Sequence, residues 1–361
     1  MSRCKLEEFI TYEQPAKYIV DSDQYDDSFD IPVLTAGKSF ILGYTDETNN
    51  IFDNLPVIIF DDFTTSVQFV DFPFKVKSSA MKLLKNTEQA DIKYCYYLLK
   101  FLQHTPENHK RQWLSATSQN IVELPTIEEQ KNIVRKLDKI LEVIDNQNKQ
   151  LELLDEAIKA RFVEMFGTLH DNENRFNIVT IEEVCSIIKD GTHQTPHYTE
   201  DKINGYKFLS SKDVMSQKIN WENIKYIPKD LHEKLYASIQ PQRNDILMSK
   251  NGVNYGVAAV NDTDEVFDIY VSLALLRPKQ LIDPVFFRCV INNIETKRQF
   301  DMSIKGIGVP NLHLGEIKKT KIILPPMVLQ KQFVTFVKQI DKSRLLSNHL
   351  LFLIKSISSN H

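Results

Sequence analysis

LPTIEEQKNIVRKLDKI, residues 124–140, stands against LPPMVLQKQFVTFVKQI, residues 324–340, at a constant offset of 200. Leu-Pro opens both stretches, and Gln130, Lys131, Val134 and Ile140 coincide with Gln330, Lys331, Val334 and Ile340. Upstream, KLEEF at Lys5 matches TIEEV at Thr180, and VLTAGK at Val33 matches FLSSKD at Phe208, both at an offset of 175. KRQW at Lys110 matches KRQF at Lys297. Matches that stay in order while the offset drifts through loops mark an internal duplication. The chain is therefore a globular domain followed by a long helix, used twice, with the second copy beginning near Phe176.

The helices are legible from what they lack. Thr126 to Phe166 holds neither Gly nor Pro, Glu128 and Glu129 sit in the first turn, and Gly167 supplies the stop. Leu137, Ile144, Leu151, Ile158 and Met165 recur seven apart with Ile133, Ile140 and Leu154 interleaved, a coiled-coil seam. Gln147 interrupts it, where a polar layer can fix register. The second helix offers Phe333, Val337, Ile340, Ser347, Leu351 and Ile354, Ser347 being the repeat equivalent of Gln147. Pairing the two helices antiparallel buries both seams and predicts globular domains at opposite ends. The expected divisions are residues 1–125, helix 126–167, residues 168–325 and helix 326–361.

Each globular half reads as mixed α/β of the α+β, strand-rich type. Apolar, β-branched runs at Pro56–Phe60, Val67–Phe72, Asp245–Met248 and Phe267–Leu276 are bounded by Asn, Asp and Gly. Helical periods occupy Asp91–Gln103 and Asp283–Phe300. The 361 residues, 42% hydrophobic and 25% charged, suffice for two cores. The net charge of −4 does not advertise nucleic-acid binding, yet basic residues recur at Lys202–Lys225 and Lys297–Lys321. Cys4, Cys95, Cys185 and Cys289 lie too far apart to suggest a disulfide framework or a zinc site. An N-terminus without an apolar stretch, and apolar runs far shorter than a membrane span, predict a cytoplasmic protein with no membrane partner.

Two variable domains, each followed by Leu-Pro and Glu-Glu-Gln-like residues opening a long helix, resemble the specificity subunit of type I restriction-modification enzymes. LPTIEEQKNIV at Leu124, ARFVEMFG at Ala160 and LPPMVLQKQFV at Leu324 carry the resemblance. The second copy departs from it with Val328-Leu329-Gln330 and has no counterpart of the RFVEMFG end. The resemblance implies that each half is a target recognition domain reading one part of a split, asymmetric sequence in double-stranded DNA, with the helix pair as spacer. It implies two modification (methyltransferase) subunits docked on the helices, using S-adenosylmethionine, and restriction (translocase-nuclease) subunits using ATP and Mg. The chain itself would bind no cofactor or metal and carry no catalysis. A protein-binding scaffold without DNA readout is the alternative, and salt-dependent DNA binding separates the two.

The residues agree that no catalytic motif is present. There is no phosphate-cradling GxxxxGK[ST] loop, and Gly306-Ile307-Gly308 runs into Pro310 instead of opening a helix. Asp230, Glu233 and Lys234 read as a solvated helix face, and His193 and His197 lack partners at zinc-ligand spacing. Candidate DNA contacts are polar residues in turns that follow apolar strands, because base edges and phosphates need side-chain donors and acceptors. In the first half these are Thr35, Lys38, Thr64, Thr65, Lys77 and Arg111. In the second they are Thr192, His193, Gln194 and Thr195 within DGTHQTPHY, then Ser211, Lys212, Lys250 and Asn251, and Lys305, Asn311 and His313 in a Gly-rich basic stretch.

Overall fold

The computed structural model describes residues 2–37, 39–106, 110–172, 176–304 and 310–359. The chain divides into two units, Met1–Asn146 and Gln147–His361, whose boundary falls inside the first long helix. The first unit runs β1 (Ser2–Lys5), β2 (Ile10–Glu13), β3 (Ile31–Leu34), β4 (Ile41–Thr45), β5 (Val57–Asp61), β6 (Val67–Val70), β7 (Lys75–Val76), β8 (Met81–Asn86), α1 (Ile92–Phe101), α2 (Gln112–Ser115) and β9 (Ile121–Leu124) into α3 (Ile127–Phe166). The second runs β10 (Asn177–Thr180), α4 (Ile181–Val184), β11 (Cys185–Asp190), β12 (Tyr206–Leu209), β13 (Lys225–Ile227), α5 (Lys229–Tyr236), β14 (Ile246–Ser249), β15 (Ala258–Val260), β16 (Phe267–Ile269), β17 (Leu273–Pro278), α6 (Pro284–Ile291), α7 (Ile294–Ser303), α8 (Leu314–Lys319) and β18 (Lys321–Leu324) into α9 (Met327–Ser359).

The sheets repeat strand for strand. Order β2-β8-β5-β6 recurs as β11-β17-β14-β15, and β4-β3-β7 recurs as β13-β12-β16, including the parallel β3–β7 and β12–β16 pairs. A two-stranded ribbon closes each unit, β1 with β9 and β10 with β18, in matching register: Ser2 opposite Leu124, Asn177 opposite Leu324. The four-stranded sheet is apolar on both faces because it is the middle layer. In β5, Ile58 and Phe60 pack with Tyr94, Cys95 and Leu99 of α1, while Val57 and Ile59 pack with Leu34 and Val76 of the smaller sheet. In β14, Ile246 and Met248 face Phe286 and Val290 of α6, and Leu247 faces Leu209 and Phe267.

One side chain ties each long helix to these layers. Gln130 is fully buried; its Oε1 accepts the Asp91 N–H at 2.8 Å, and its Nε2 donates to the Pro125 and Gln89 carbonyls at 2.9 and 3.2 Å. Gln330 repeats this on the Asp283 N–H at 2.8 Å and the Pro325 and Leu281 carbonyls at 2.8 and 3.1 Å. Asp91 and Asp283 are themselves the N-caps of α1 and α6, so one amide joins the starts of two helices in each unit. Nearby, Asp138 of α3 accepts from Lys93 and Tyr97 of α1, at 2.7 and 2.5 Å. Asp341 of α9 lies 3.4 Å from Arg288 of α6.

Along α3 the partly buried positions include Leu137, Ile140, Ile144, Gln147, Leu151, Leu154, Ile158 and Met165, the first seven in the alternating three-and-four spacing of a seam. Ile133 is exposed and Val134 is buried in its place. In α9 the buried positions include Phe333, Val337, Ile340, Ser347 and Leu351, with Gln330 and Val334 near its start and Arg344 half-buried; the side chain of Ile354 lies outside the described residues. Within the second unit the helices run antiparallel: Phe162 meets Phe333 at 5.6 Å between ring centroids, and Asp155, two turns earlier, pairs with Arg344, later in α9. Phe162, Phe166, Phe286 and Phe333 form one aromatic cluster, after which Gly167 ends α3 at φ +71°.

Three expectations change. Phe267–Leu276 is two strands in different sheets, β16 and β17, separated by Tyr270–Ser272. Asp283–Phe300 is two helices, because Asn293 caps α7 and breaks the run. The match of KRQW to KRQF is coincidental: the Gln112 N–H bonds to the Asp62 carbonyl beyond β5, and in the second unit it is the Leu312 N–H that bonds to the Lys250 carbonyl beyond β14. Lys297–Phe300 lies in α7 instead.

Replacing Gln130 or Gln330 by Leu leaves a buried N–H and two carbonyls without partners, which should cost about 2–4 kcal/mol. Urea unfolding followed by far-UV circular dichroism measures it; a loss under about 0.5 kcal/mol would mean that the amide is not what anchors the helix.

Candidate nucleic-acid interface

In the second unit five chain segments converge at one end of the sheets, where β11, β12, β14 and β16 finish and β17 begins. The Thr192 N–H bonds to the Ile269 carbonyl, Val271 N–H to Thr192, Tyr270 N–H to Leu209, Lys250 N–H to Ser272 and Leu312 N–H to Lys250, all within 2.7–3.1 Å. The Ser211 N–H reaches Ser272 Oγ at 3.0 Å, and Asn251 bridges to Asn311. The structure thus brings Thr192, Ser211, Lys250, Asn251 and Asn311 into one cluster. His193, Gln194, Thr195, Lys212, Asn311 and His313 are exposed there, His313 as the N-cap of α8, while Thr192, Ser211 and Asn251 are half-buried. Lys305 lies outside the described residues.

The loop carrying Gln194 cannot slide. A Cβ on Gly191 would lie 2.0 Å from the Ile269 carbonyl oxygen, so only glycine lets the backbone lie against β16. Thr192 Oγ1 accepts the Gln194 N–H at 3.2 Å, and His193 Nε2 lies 3.4 Å from Asp190 Oδ2.

Lys250 is a correction. It is 4% exposed and its Nζ lies 2.5 Å from Asp190 Oδ2, so it supports the loop from beneath and offers no free charge to a phosphate.

The first unit gathers its candidates at the corresponding end. Thr35 follows β3, with its hydroxyl donating to the Ser39 carbonyl at 2.8 Å and accepting the Gly37 N–H at 3.2 Å. Lys77 follows β7, bonds through its N–H to Leu34, and pairs with Asp23. Thr64 is exposed in the turn after β5, where Asp61 accepts the Phe63 and Thr64 N–H groups at 2.8 and 3.1 Å. Arg111 is exposed immediately before Gln112. Thr65 is a second correction: it is 2% exposed, sits at φ +55°, and its hydroxyl donates to the His104 carbonyl at 2.6 Å. Lys38 lies outside the described residues.

Sequence reading missed several residues. Tyr198, 45% exposed, packs on Phe208 and lies under Lys225 Nζ, 3.9 Å from its ring centroid. Burial, with Tyr270 and Asp213 nearby, pushes the Tyr198 phenol up. Tyr255 donates to Asp301 at 2.5 Å under Lys297, which clips α7 to the β14–β15 turn; hydrogen bonds from Lys297 and Tyr255 hold the Asp301 carboxyl below its usual range. Within β16, burial raises the Asp268 carboxyl although it bonds to His232 at 2.7 Å. Ser272 was concealed inside an apolar run. A signal existed only for Tyr198, which stands at the end of DGTHQTPHY.

What the clusters can do chemically is present exposed amide, hydroxyl, imidazole and lysine groups from rigid strand ends. Among the described residues no group of three or more His, Cys, Asp or Glu could hold a metal ion, and no helix is long and apolar enough to cross a membrane.

Two solved structures share this architecture. The S subunit of a type I restriction-modification system from M. genitalium aligns over 99% of this chain and 94% of its own, with a TM-score of 0.61 at 13% identity. A chain from a structural study of complex assembly and conformational transition of the type I R-M system aligns over 99% and 95%, with a TM-score of 0.55 at 15% identity. The fold is thus that of type I S subunits. Residues 173–355, just over half of the chain, match the model of the type I restriction modification DNA specificity domain, and the protein belongs to that family. The EcoR124I/EcoR124II specificity subunit of Escherichia coli is 48% identical over 37% of this chain, a match spanning 36% of that subunit's length. The MjaVIII specificity subunit of Methanocaldococcus jannaschii is 25% identical, covering 74% of this chain and 67% of the relative.

Gly191→Ala should force the loop off β16 and destabilise the second unit by about 1–3 kcal/mol, as overpacking against backbone does. A thermal melt tests this, and an unchanged midpoint would show that the loop is not held against Ile269.

Proposed function

We propose that this chain is the non-catalytic specificity subunit of a type I restriction-modification complex, in which each globular half reads one part of a split, asymmetric double-stranded DNA target. The observation that carries this reading is the repetition of one loop cluster, at the same sheet end of both units, on a common frame but with different exposed side chains. Thr35, Thr64, Lys77 and Arg111 serve one half-sequence; Thr192, His193, Gln194, Thr195, Ser211, Lys212, Asn311 and His313 serve the other. The antiparallel contact of Phe162 with Phe333 and Asp155 with Arg344 supports a helix pair that fixes the gap. The Leu-Pro, Gln-Lys and Val positions shared by the two helix starts support docking of two like modification subunits that supply adenine methylation from S-adenosylmethionine. Restriction subunits would add ATP- and Mg-dependent cleavage. The site of action is the cytoplasm.

The test maps methylated adenines genome-wide in cells with the modification subunit, with and without this chain. A split motif should disappear when the chain is absent; loss of no split motif would sink the reading. Inserting four residues beside Gln147 should lengthen the gap and leave both half-sequences unchanged, whereas altered bases at a constant gap would mean that the helices are not the spacer. Binding to DNA should weaken with salt at a log–log slope of about −0.9 per phosphate contact.

A further inference from the structure

Each unit has a node at the residue that follows its central strand, Asp62 after β5 and Lys250 after β14. The backbone bonds of the two nodes are the same. The Asp62 N–H reaches the Ala80 carbonyl just before β8, and the Asp62 carbonyl takes the Gln112 N–H; the Lys250 N–H reaches Ser272 just before β17, and the Lys250 carbonyl takes the Leu312 N–H. Both side chains are buried and charged, but with opposite sign. Asp62 Oδ2 lies 3.1 Å from Lys82 Nζ, each side chain 1% exposed, and Asp62 Oδ1 accepts the Trp113 N–H at 2.8 Å. Lys250 Nζ, on a side chain 5% exposed, lies 2.5 Å from Asp190 Oδ2.

A buried ion pair contributes little net stability compared with an apolar pair of the same shape, because desolvation offsets the attraction; its directional effect is to fix one arrangement over others. The two nodes direct that effect to different segments. Asp62 fixes the start of α2, next to Arg111. Lys250 fixes Asp190, the first residue of the stretch that carries Thr192, His193, Gln194 and Thr195, and whose Oδ2 also faces His193. Lys250 is shielded from solvent by the chain that it organises, so a DNA phosphate has no access to its ammonium.

Building on the function proposed above, we infer that Lys250 and Asp190 are a positioning pair that sets the base preference of the second unit without touching DNA, and that Asp62 with Lys82 is the opposite-signed counterpart in the first. The frame is held constant at the node, and the sign of the buried charge selects which loop is held.

The test uses the full chain with its modification subunit and a randomised double-stranded DNA library, sequencing what is bound. Lys250→Met should relax the half-motif read by the second unit by roughly tenfold per base pair, within the range of single-mismatch penalties, and leave the other half-motif intact. The salt slope should not change. Asp190→Asn should act in the same direction, and Lys250→Arg should retain the preference. Thermal melting accompanies each variant; if Lys250→Met does not fold, the Asp190→Asn result decides. An unchanged half-motif in a folded variant would overturn the inference. So would an intact motif with a salt slope reduced by about one, since that is the signature of a lost phosphate contact. A wild-type protein that recovers no motif at all would instead overturn the proposed function.

Discussion

The architecture depends on a buried amide used twice. Gln130 and Gln330 have no exposed surface, and each satisfies one N–H and two carbonyls at the point where a long helix leaves its sheets. A buried amide with all its bonds made permits one orientation of its neighbours, because any tilt of the helix would strand polar groups away from water. It therefore fixes the helix start relative to α1 or α6, hence to the central sheet, hence to the strand ends where the exposed polar loops stand. The Asp138–Lys93 and Asp341–Arg288 contacts reinforce the same junction roughly two and three turns further on, with different chemistry in each unit.

Above that junction, frame and surface separate cleanly. Backbone hydrogen bonds at the node residues Asp62 and Lys250 are conserved between the units, as are strand order and register in the β1–β9 and β10–β18 ribbons. Side chains at the loop tips are not. This is an arrangement in which one backbone can carry two different sets of exposed side chains: the packed layers tolerate no change without loss of density, while exposed tips change at little cost to stability.

The duplication, the strand-rich halves and the two helices were legible because they rest on local signals: Leu-Pro starts, a gap-free helical period, short β-branched runs. The identity of Gln130 and Gln330 amid changing neighbours was also visible, though its purpose needed the fold. What failed was anything that depended on a distant partner. Thr65 and Lys250 look like surface residues after a strand, yet His104 and Asp190 bury them. Ile133 and Val134 are both apolar, and only packing against the first unit's core decides that Val134 faces inward. KRQW and KRQF match by letters, whereas Gln112 and Leu312, unlike in chemistry, occupy the same backbone position. The candidate loops were found as segments; which of their residues stay exposed was not a property of the segments.

The central claim is that one frame carries two independent readers. It is tested most directly by a chain whose residues 2–123 are replaced by 177–323, joining at strands that pair in the same register, and by sequencing the methylated sites it directs. The account predicts a split motif containing two copies of the half-sequence formerly read by the second unit, at the original gap. Retention of the former first half, or a folded chimera directing a motif with neither half, would contradict it.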